Sequence, residues 1–199
     1  MKITEGLGRA LFFVVGAPKS GTTWMQFMLN GHTAIESAGE GHFTDWLLED
    51  VRGLLAKYNE RQAFKNAFVY DDDGYFSGIT GKDVNAFARY VFLQQLRKRD
   101  LKPAIRFQGD KIPNYVGALN LLRESFPEAR FIYMKCTGRD AAPSIIAQKM
   151  RLLQAKTRRP YDSRIGRSDL ESFVRKWLEA TLLARDFDRV WPNRMITLH

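Results

Sequence analysis

The feature that most constrains this chain is an apolar block, Leu11-Phe12-Phe13-Val14-Val15, which stops at Gly16 and runs at once into Ala17-Pro18-Lys19-Ser20-Gly21-Thr22-Thr23-Trp24. Five β-favouring residues without a polar interruption predict a strand buried on both faces, the situation of a central strand in a parallel sheet. Trp24, Phe27 and Met28 then recur at helical spacing until Gly31, so the unit reads strand, glycine loop, helix. Glycines let such a loop curl until several N–H groups, together with the positive end of the following helix, face one anion. A phosphate site is expected there. Thr22 stands where G-x-x-x-x-G-K-[ST] places its lysine, so the loop departs from that of nucleoside-triphosphate enzymes. The lysine is Lys19, inside the loop.

Further along, Trp46 to Phe68 reads as an amphipathic helix, Asp71-Asp72-Asp73-Gly74 as a charged turn, and Asp83 to Arg99 as a second helix. Pro103 to Gly109 predicts a short strand, Pro113 to Phe126 a helix entered through its proline, and Phe131 to Met134 another buried strand. A helix follows from Asp140 to about Gln154 with Pro143 early in it. The capping box Ser168-Asp169-Leu170-Glu171 opens a long helix to Val190, and Arg194 to His199 reads as a strand. Strands alternating with helices indicate an α/β fold, a mainly parallel sheet flanked by helices like that of P-loop proteins, because parallel strands need crossover connections. Residues 1–199 read as a single domain, since no repeat, low-complexity tract or linker divides them.

Lys and Arg number 31 against 22 Asp and Glu, a net charge of +9, which favours anionic partners. Basic and acidic residues are interleaved over most of the chain and no nucleic-acid reader motif is present, so nucleic acid is not an expected partner. The stretch Lys149 to Arg167 is the exception, with seven cations against Asp162. It reads either as a solvated loop or as a wall that attracts an anionic acceptor. The longest apolar run, Ala10 to Ala17, is too short to span a bilayer. A single cysteine, Cys136, allows no intrachain disulfide and points to a reducing, cytoplasmic compartment. No cluster of His, Cys, Asp and Glu has metal-ligand spacing, so no metal is expected.

Pro18-Lys19-Ser20-Gly21-Thr22-Thr23-Trp24 resembles the 5′-phosphosulfate loop of sulfotransferases that use 3′-phosphoadenosine 5′-phosphosulfate (PAPS). Asp110-Lys111-Ile112-Pro113-Asn114-Tyr115 is similar to the acidic-Lys-x-Pro-x-Tyr segment of glycan-type members, and Glu40-Gly41-His42-Phe43 to their Glu-x-His-Phe segment. Arg130 to Ser144 resembles the strand, turn and helix that hold the 3′-phosphate. The resemblance implies sulfuryl transfer from PAPS to a hydroxyl of a carbohydrate or small molecule. In that reading Pro18 to Thr23 hold the 5′-phosphate, Trp24 lies beside adenine or else is a core aromatic, and Lys19 offsets charge on the leaving oxygen. Glu40 takes the acceptor proton, with His42 as the competing base. Lys111 steadies the sulfuryl oxygens or simply pairs with Asp110. Arg139 and Ser144 are left to hold the 3′-phosphate, because the arginine usual at the strand end is replaced by Cys136. Members also usually continue into a glycine-flanked basic loop beyond the last strand, and this chain is expected to lack it. Two rival readings remain: a small-molecule kinase with a deviant loop, and a non-catalytic relative.

Overall fold

The computed structural model describes residues 3–4, 7–69, 76–99, 103–157 and 167–199. The turn expected at Asp71–Gly74 lies outside them, as do the side chains of Lys156, Arg158, Arg159, Arg164 and Arg167. The apolar block forms β2 (Arg9–Gly16), preceded by the two-residue β1 (Ile3–Thr4), which pairs antiparallel with it. With β3 (Ile35–Gly39), β4 (Phe107–Lys111), β5 (Arg130–Met134) and β6 (Met195–Leu198), β2 builds a sheet in the order β3-β4-β2-β5-β6. All four pairings along that path are parallel. The expected α/β architecture, a parallel sheet flanked by helices, is the one present.

Strand β2 is buried from Ala10 to Gly16 because both its edges and both its faces are covered. On one face Phe12 and Val14 join Met134, with Met25 and Leu29 of α1 (Thr22–Asn30) packed over them. On the other, Phe13 stacks on Phe131 with ring centroids 5.7 Å apart and meets the edge of Tyr115 at 5.8 Å. Phe187 of α6 (Arg167–Val190) continues this aromatic row against Phe131 at 5.1 Å. Alternation along one strand thus feeds two separate helical layers.

Strand β3 was not legible in the sequence, since Ile-Glu-Ser-Ala-Gly carries no apolar run. It is held at the sheet edge by α1: Asn30 Oδ1 accepts from the Ser37 amide at 2.6 Å, and Asn30 Nδ2 donates to the Ser37 carbonyl at 3.0 Å. One side chain thereby supplies the hydrogen bonds that a further strand would give. Strand β4 lies further along the chain than expected and takes in Asp110 and Lys111. Pro113–Ala118 form a 3-10 turn that leads into α4 (Leu119–Ser125).

The chain divides into two compact units: Met1–Gly41, Leu101–Asn120 and Glu128–His199 make the sheet unit, and His42–Asp100 with Leu121–Pro127 a helical one. In the helical unit a π-helical turn, Phe43–Leu47, precedes α2 (Leu48–Val69), and α3 spans Gly81–Arg97. The amphipathic face expected of α2 is slight. Leu48 and Leu55 pack with Val84 and Ala88 of α3, whereas Leu54, Phe64 and Phe68 are exposed. Helix α3 begins two residues before Asp83 because Thr80 caps it, its hydroxyl oxygen accepting from the Asp83 amide while Asp83 reaches back to the Thr80 amide.

Where β4 crosses β2, Gly109 lies opposite Phe12, and a Cβ there would run into the Phe12 carbonyl and stand 2.7 Å from its ring carbons. Gly109→Ala is therefore expected to cost about 1–3 kcal/mol of stability through overpacking, measured as a lowered midpoint in urea denaturation.

Candidate active site

The C-terminal ends of β2, β3, β4 and β5 lie along one edge of the sheet, and the glycine loop leaves from the middle of it. Gly16 is in register with Met134 and Val14 with Lys111, while Gly39 on the far side also pairs with Lys111. A Cβ on Gly16 would stand 2.7 Å from the Met134 carbonyl and strike the Ser20 hydroxyl. That is why glycine is needed at the first bend. Lys19 (φ 67°) and Gly21 (φ 91°) are left-handed, so the loop coils over the start of α1. The first bond of α1 runs from the Met25 amide to the Gly21 carbonyl, and no side chain caps the helix. The amides of Thr22, Thr23 and Trp24 are left pointing out of its N-terminus.

Inside the coil the Ser20 hydroxyl is buried and has no hydrogen-bond partner. An unpaired buried hydroxyl is costly, and this one lies inside the bend, against Gly16. Lys19 is half-buried; among the described residues it has no ion-pair partner. Thr22 is buried, Thr23 exposed, and Trp24 is 59% exposed at the mouth. Of the two readings of Trp24, the core aromatic does not hold: its helical position faces outward, and Met25 and Leu29 take the core side.

Beside the loop, Lys111 Nζ donates to Glu40 Oε1 at 2.6 Å and to Thr23 Oγ1 at 3.3 Å. The lysine is 3% exposed and the glutamate 53%. The expected alternative, a pair between Lys111 and Asp110, is not formed, because neighbours on a strand point to opposite faces. Asp110 is 1% exposed and accepts from the Tyr115 hydroxyl at 2.7 Å through Oδ2. Burial pushes its carboxyl above the ordinary value. The Tyr115 hydroxyl and the peptide N–H groups of Lys111 and Gly41 pull it back in part, although Oδ1 has no full hydrogen bond. Glu40 and His42 are both left-handed, at φ 47° and 49°, a backbone state that a non-glycine residue keeps only when its surroundings enforce it.

His42 belongs to the helical unit. Its Nδ1 is 2.9 Å from Asp45 Oδ2, and its ring stacks on Trp46 at 3.7 Å, so one nitrogen is engaged and Nε2 remains. Asp45 and Trp46 carried no signal by themselves in the sequence; spacing of three and four from a histidine in a helical turn was the available clue.

At the end of β5, Trp177 Nε1 donates to the Cys136 carbonyl at 3.1 Å, and a Cβ on Gly138 would meet the same indole at 3.2 Å. Cys136 is half-buried, and burial raises its thiol pKa. Helix α5 (Gly138–Thr157) starts two residues earlier than expected because Thr137 caps it, its Oγ1 accepting from the Asp140 amide at 3.2 Å and donating to Asp140 Oδ2 at 2.7 Å. Pro143 consequently falls inside the helix and leaves the Arg139 carbonyl without its helical donor. Arg139 is exposed and Ser144 half-buried. Lys149, from the basic stretch, is tied to Asp169 at 2.5 Å.

A cavity of about 340 Å³ lined by Phe12, Leu29, Phe107, Ile132 and Ile196 lies at the start of the strands, away from the loop, and holds none of these groups. Among the described residues no three His, Cys, Asp or Glu side chains are grouped to hold a metal, and no helix is long and apolar enough to cross a membrane.

A profile of the sulfotransferase family matches residues 12–199, and the chain belongs to that family. It is 28% identical over 140 residues to protein-tyrosine sulfotransferase 1 of Danio rerio, covering 70% of this chain and 36% of that protein. The human protein of the same name gives 29% identity, with 70% and 35% covered. The chain thus spans about a third of the length of the curated relatives it matches. Its fold is similar to the sulfotransferase domain of the Synechococcus PCC 7002 olefin synthase (TM-score 0.58, 17% identity, 99% of this chain and 68% of that one). It is also similar to a sulfotransferase from Alicyclobacillus acidocaldarius (TM-score 0.57, 17% identity, 96% and 72%).

Because the Asp110 carboxyl is raised in the folded state above its ordinary 3.8, between that value and the folded midpoint the native protein keeps a proton there that the unfolded chain releases. Stability therefore falls as pH rises from about 3.8 towards the folded midpoint. Asp110→Asn lacks this term, so urea denaturation across that window should show the variant gaining on wild type as pH rises, then a constant difference above it.

Proposed function

We propose that the chain transfers a sulfuryl group from PAPS to a hydroxyl acceptor. The observation that carries this reading is the coiled loop at residues 16–23, with its unpartnered Ser20 hydroxyl and uncapped α1 amides, set beside the Lys111–Glu40 pair. PAPS, when bound, supplies the sulfuryl group and a phosphate leaving group. The loop amides, Ser20, Thr22 and Thr23 hold the 5′-phosphate, Pro18 and Gly21 fix the bend, and Trp24 offers an exposed face for adenine. Lys19 stabilises charge on the oxygen that keeps the electron pair as its bond to sulfur breaks. Glu40 accepts the acceptor proton as the new S–O bond forms, and Lys111 turns from Glu40 to the sulfuryl oxygens. His42, held by Asp45, is the competing base.

The loop and α1 fit the 5′ end of PAPS better than α5 fits its 3′-phosphate. Arg139 supplies charge and Ser144 a hydroxyl, but Cys136 is neutral and Asp140 places a carboxylate in the first turn, which opposes a second anion. The acceptor is a carbohydrate or small-molecule hydroxyl; the names of the relatives add a tyrosyl hydroxyl on a protein to the panel to be screened. A kinase reading is disfavoured by Thr22 at the lysine position. The single cysteine supports a cytoplasmic location.

In single-turnover assays with PAPS and an acceptor panel of sugars, phenols and tyrosine peptides, Lys19→Ala is expected to lose transfer by about 100-fold or more while keeping its melting temperature. Glu40→Gln should retain 3′-phosphoadenosine 5′-phosphate binding and lose transfer. An active Gln variant beside an inactive His42→Asn variant would reassign the base. In calorimetry, Cys136→Arg should tighten 3′-phosphoadenosine 5′-phosphate by about 1.5–3 kcal/mol, the worth of a hydrogen bond to a charged group, without equally tightening AMP. A stable variant with unchanged preference would show that this strand end does not meet the 3′-phosphate.

A further inference from the structure

Helix α1 carries a polar line of which the proposed chemistry uses only the first residue. Thr23, Gln26 and Asn30 stand at i, i+3 and i+7, which puts them on one side of the helix. That side lies between Met25 and Leu29, which meet the sheet, and the exposed Trp24, Phe27 and Met28. The two later residues of the line converge on one peptide of β3. Gln26 Nε2 donates to the Ser37 carbonyl at 3.2 Å, Asn30 Nδ2 donates to the same oxygen at 3.0 Å, and Asn30 Oδ1 accepts from the Ser37 N–H at 2.6 Å. Ser37 is 1% exposed, so its backbone groups require partners. Asn30 alone satisfies both of them. Gln26 therefore adds restraint rather than satisfaction, and it does so at close quarters: a Cβ on Gly39 would stand 2.8 Å from its Nε2.

Strand β3 ends at Gly39, and the next residue is Glu40. Its stem is held on one edge by β4, where Gly39 is level with Lys111 and the Glu40 N–H donates to the Lys111 carbonyl at 2.9 Å. On the other edge it is held by the α1 line. The first residue of that line closes the circuit, since Lys111 Nζ donates both to Thr23 Oγ1 at 3.3 Å and to Glu40 Oε1 at 2.6 Å. One rigid stretch of helix, about 10 Å long at 1.5 Å per residue, thus touches the charged pair at its start and the strand that bears Glu40 at its end. Apolar packing is non-directional. Three hydrogen bonds to one peptide fix the strand along the helix axis as well as across it.

We propose that Gln26 and Asn30 are positioning residues that join α1 and the Glu40 end of β3 into one body, so that the helix whose first turn faces the phosphate also sets where the Glu40 carboxylate stands. This rests on the reading of the loop as the 5′-phosphate site and of Glu40 as the base.

The test uses the full chain and has two arms. The first needs no ligand. Asn30→Leu nearly keeps the side-chain volume but neither donates nor accepts, whereas Gln26→Met leaves both Asn30 bonds in place. Amide hydrogen exchange followed by ¹⁵N NMR is read at the Glu40 N–H, whose partner is the Lys111 carbonyl rather than either side chain. Relative to the N–H groups of β2, which report global opening, it should exchange about 10-fold faster in Asn30→Leu and about 3-fold faster in Gln26→Met. The second arm rests on the sulfuryl-transfer reading. With PAPS saturating, single-turnover rate should fall on the order of 10- to 100-fold in Asn30→Leu and about 3-fold in Gln26→Met, while 3′-phosphoadenosine 5′-phosphate affinity stays within about twofold. A general loss of stability does not produce that split. Exchange at Glu40 that rises no more than exchange in β2 overturns the proposal, as does an undiminished rate or nucleotide affinity lost in step with rate. If Asn30→Leu does not fold, Gln26→Met decides both arms. A chain that shows the exchange response, but whose wild type neither binds the nucleotide nor transfers sulfuryl, defeats the functional reading and leaves the union of α1 with the Glu40 strand end standing.

Discussion

Everything at the candidate site is measured from the burial of β2. A strand enclosed on both faces and both edges has one register open to it, because a slip of one residue would exchange the Phe12 and Val14 face with the Leu11, Phe13 and Val15 face. Those two faces are not equivalent: one packs under α1, the other against an aromatic row that ends on α6. With β2 fixed, the neighbours follow. Strand β4 brings Lys111 level with Val14, and β5 brings the Met134 carbonyl against Gly16. The loop is bent by what stands beside it as much as by its own glycines.

Charge placement at this sheet edge obeys strand alternation. Asp110 and Lys111 are adjacent and of opposite sign, and a reading from the sequence alone naturally pairs them. The pleat separates them, sends the acid to Tyr115 and sends the base to Glu40 and Thr23. The outcome is a cation buried by the protein but paired with an exposed carboxylate, an arrangement that leaves the ammonium close to the loop and the carboxylate open to solvent.

The loop, its strand and its helix were legible because their signals are local: an uninterrupted apolar run, two glycines and a helical repeat. Strand β3 was not, since its hydrogen bonds come from Asn30 and from β4, partners that its own five residues do not announce. The alternative of a core aromatic at Trp24 stayed open in the sequence because aromatic residues at helical spacing usually mark a buried stripe; only the sheet decides that Met25 and Leu29 take that side. The start of α5 moved because Thr137 is a cap as good as the Asp140 expected to open it. Trp177, across Cys136 and Gly138, lies about 40 residues from either along the chain, and no pattern in one sequence could link them.

Strands β3 and β4 pair directly, yet the chain between Gly39 and Phe107 is largely the helical unit. Such a pairing has high contact order, and forming it early would require closing a loop of nearly seventy residues. Because closure entropy grows only logarithmically, about 0.6 kcal/mol for each doubling of length, the inserted segment can lengthen, shorten or be exchanged at small thermodynamic cost to the sheet. It begins at the residue after Gly41, next along the chain to the turn bearing Glu40. Evolution is left with a loop-bearing sheet edge that tolerates little change and, joined to it by a single turn, a stretch almost free to drift.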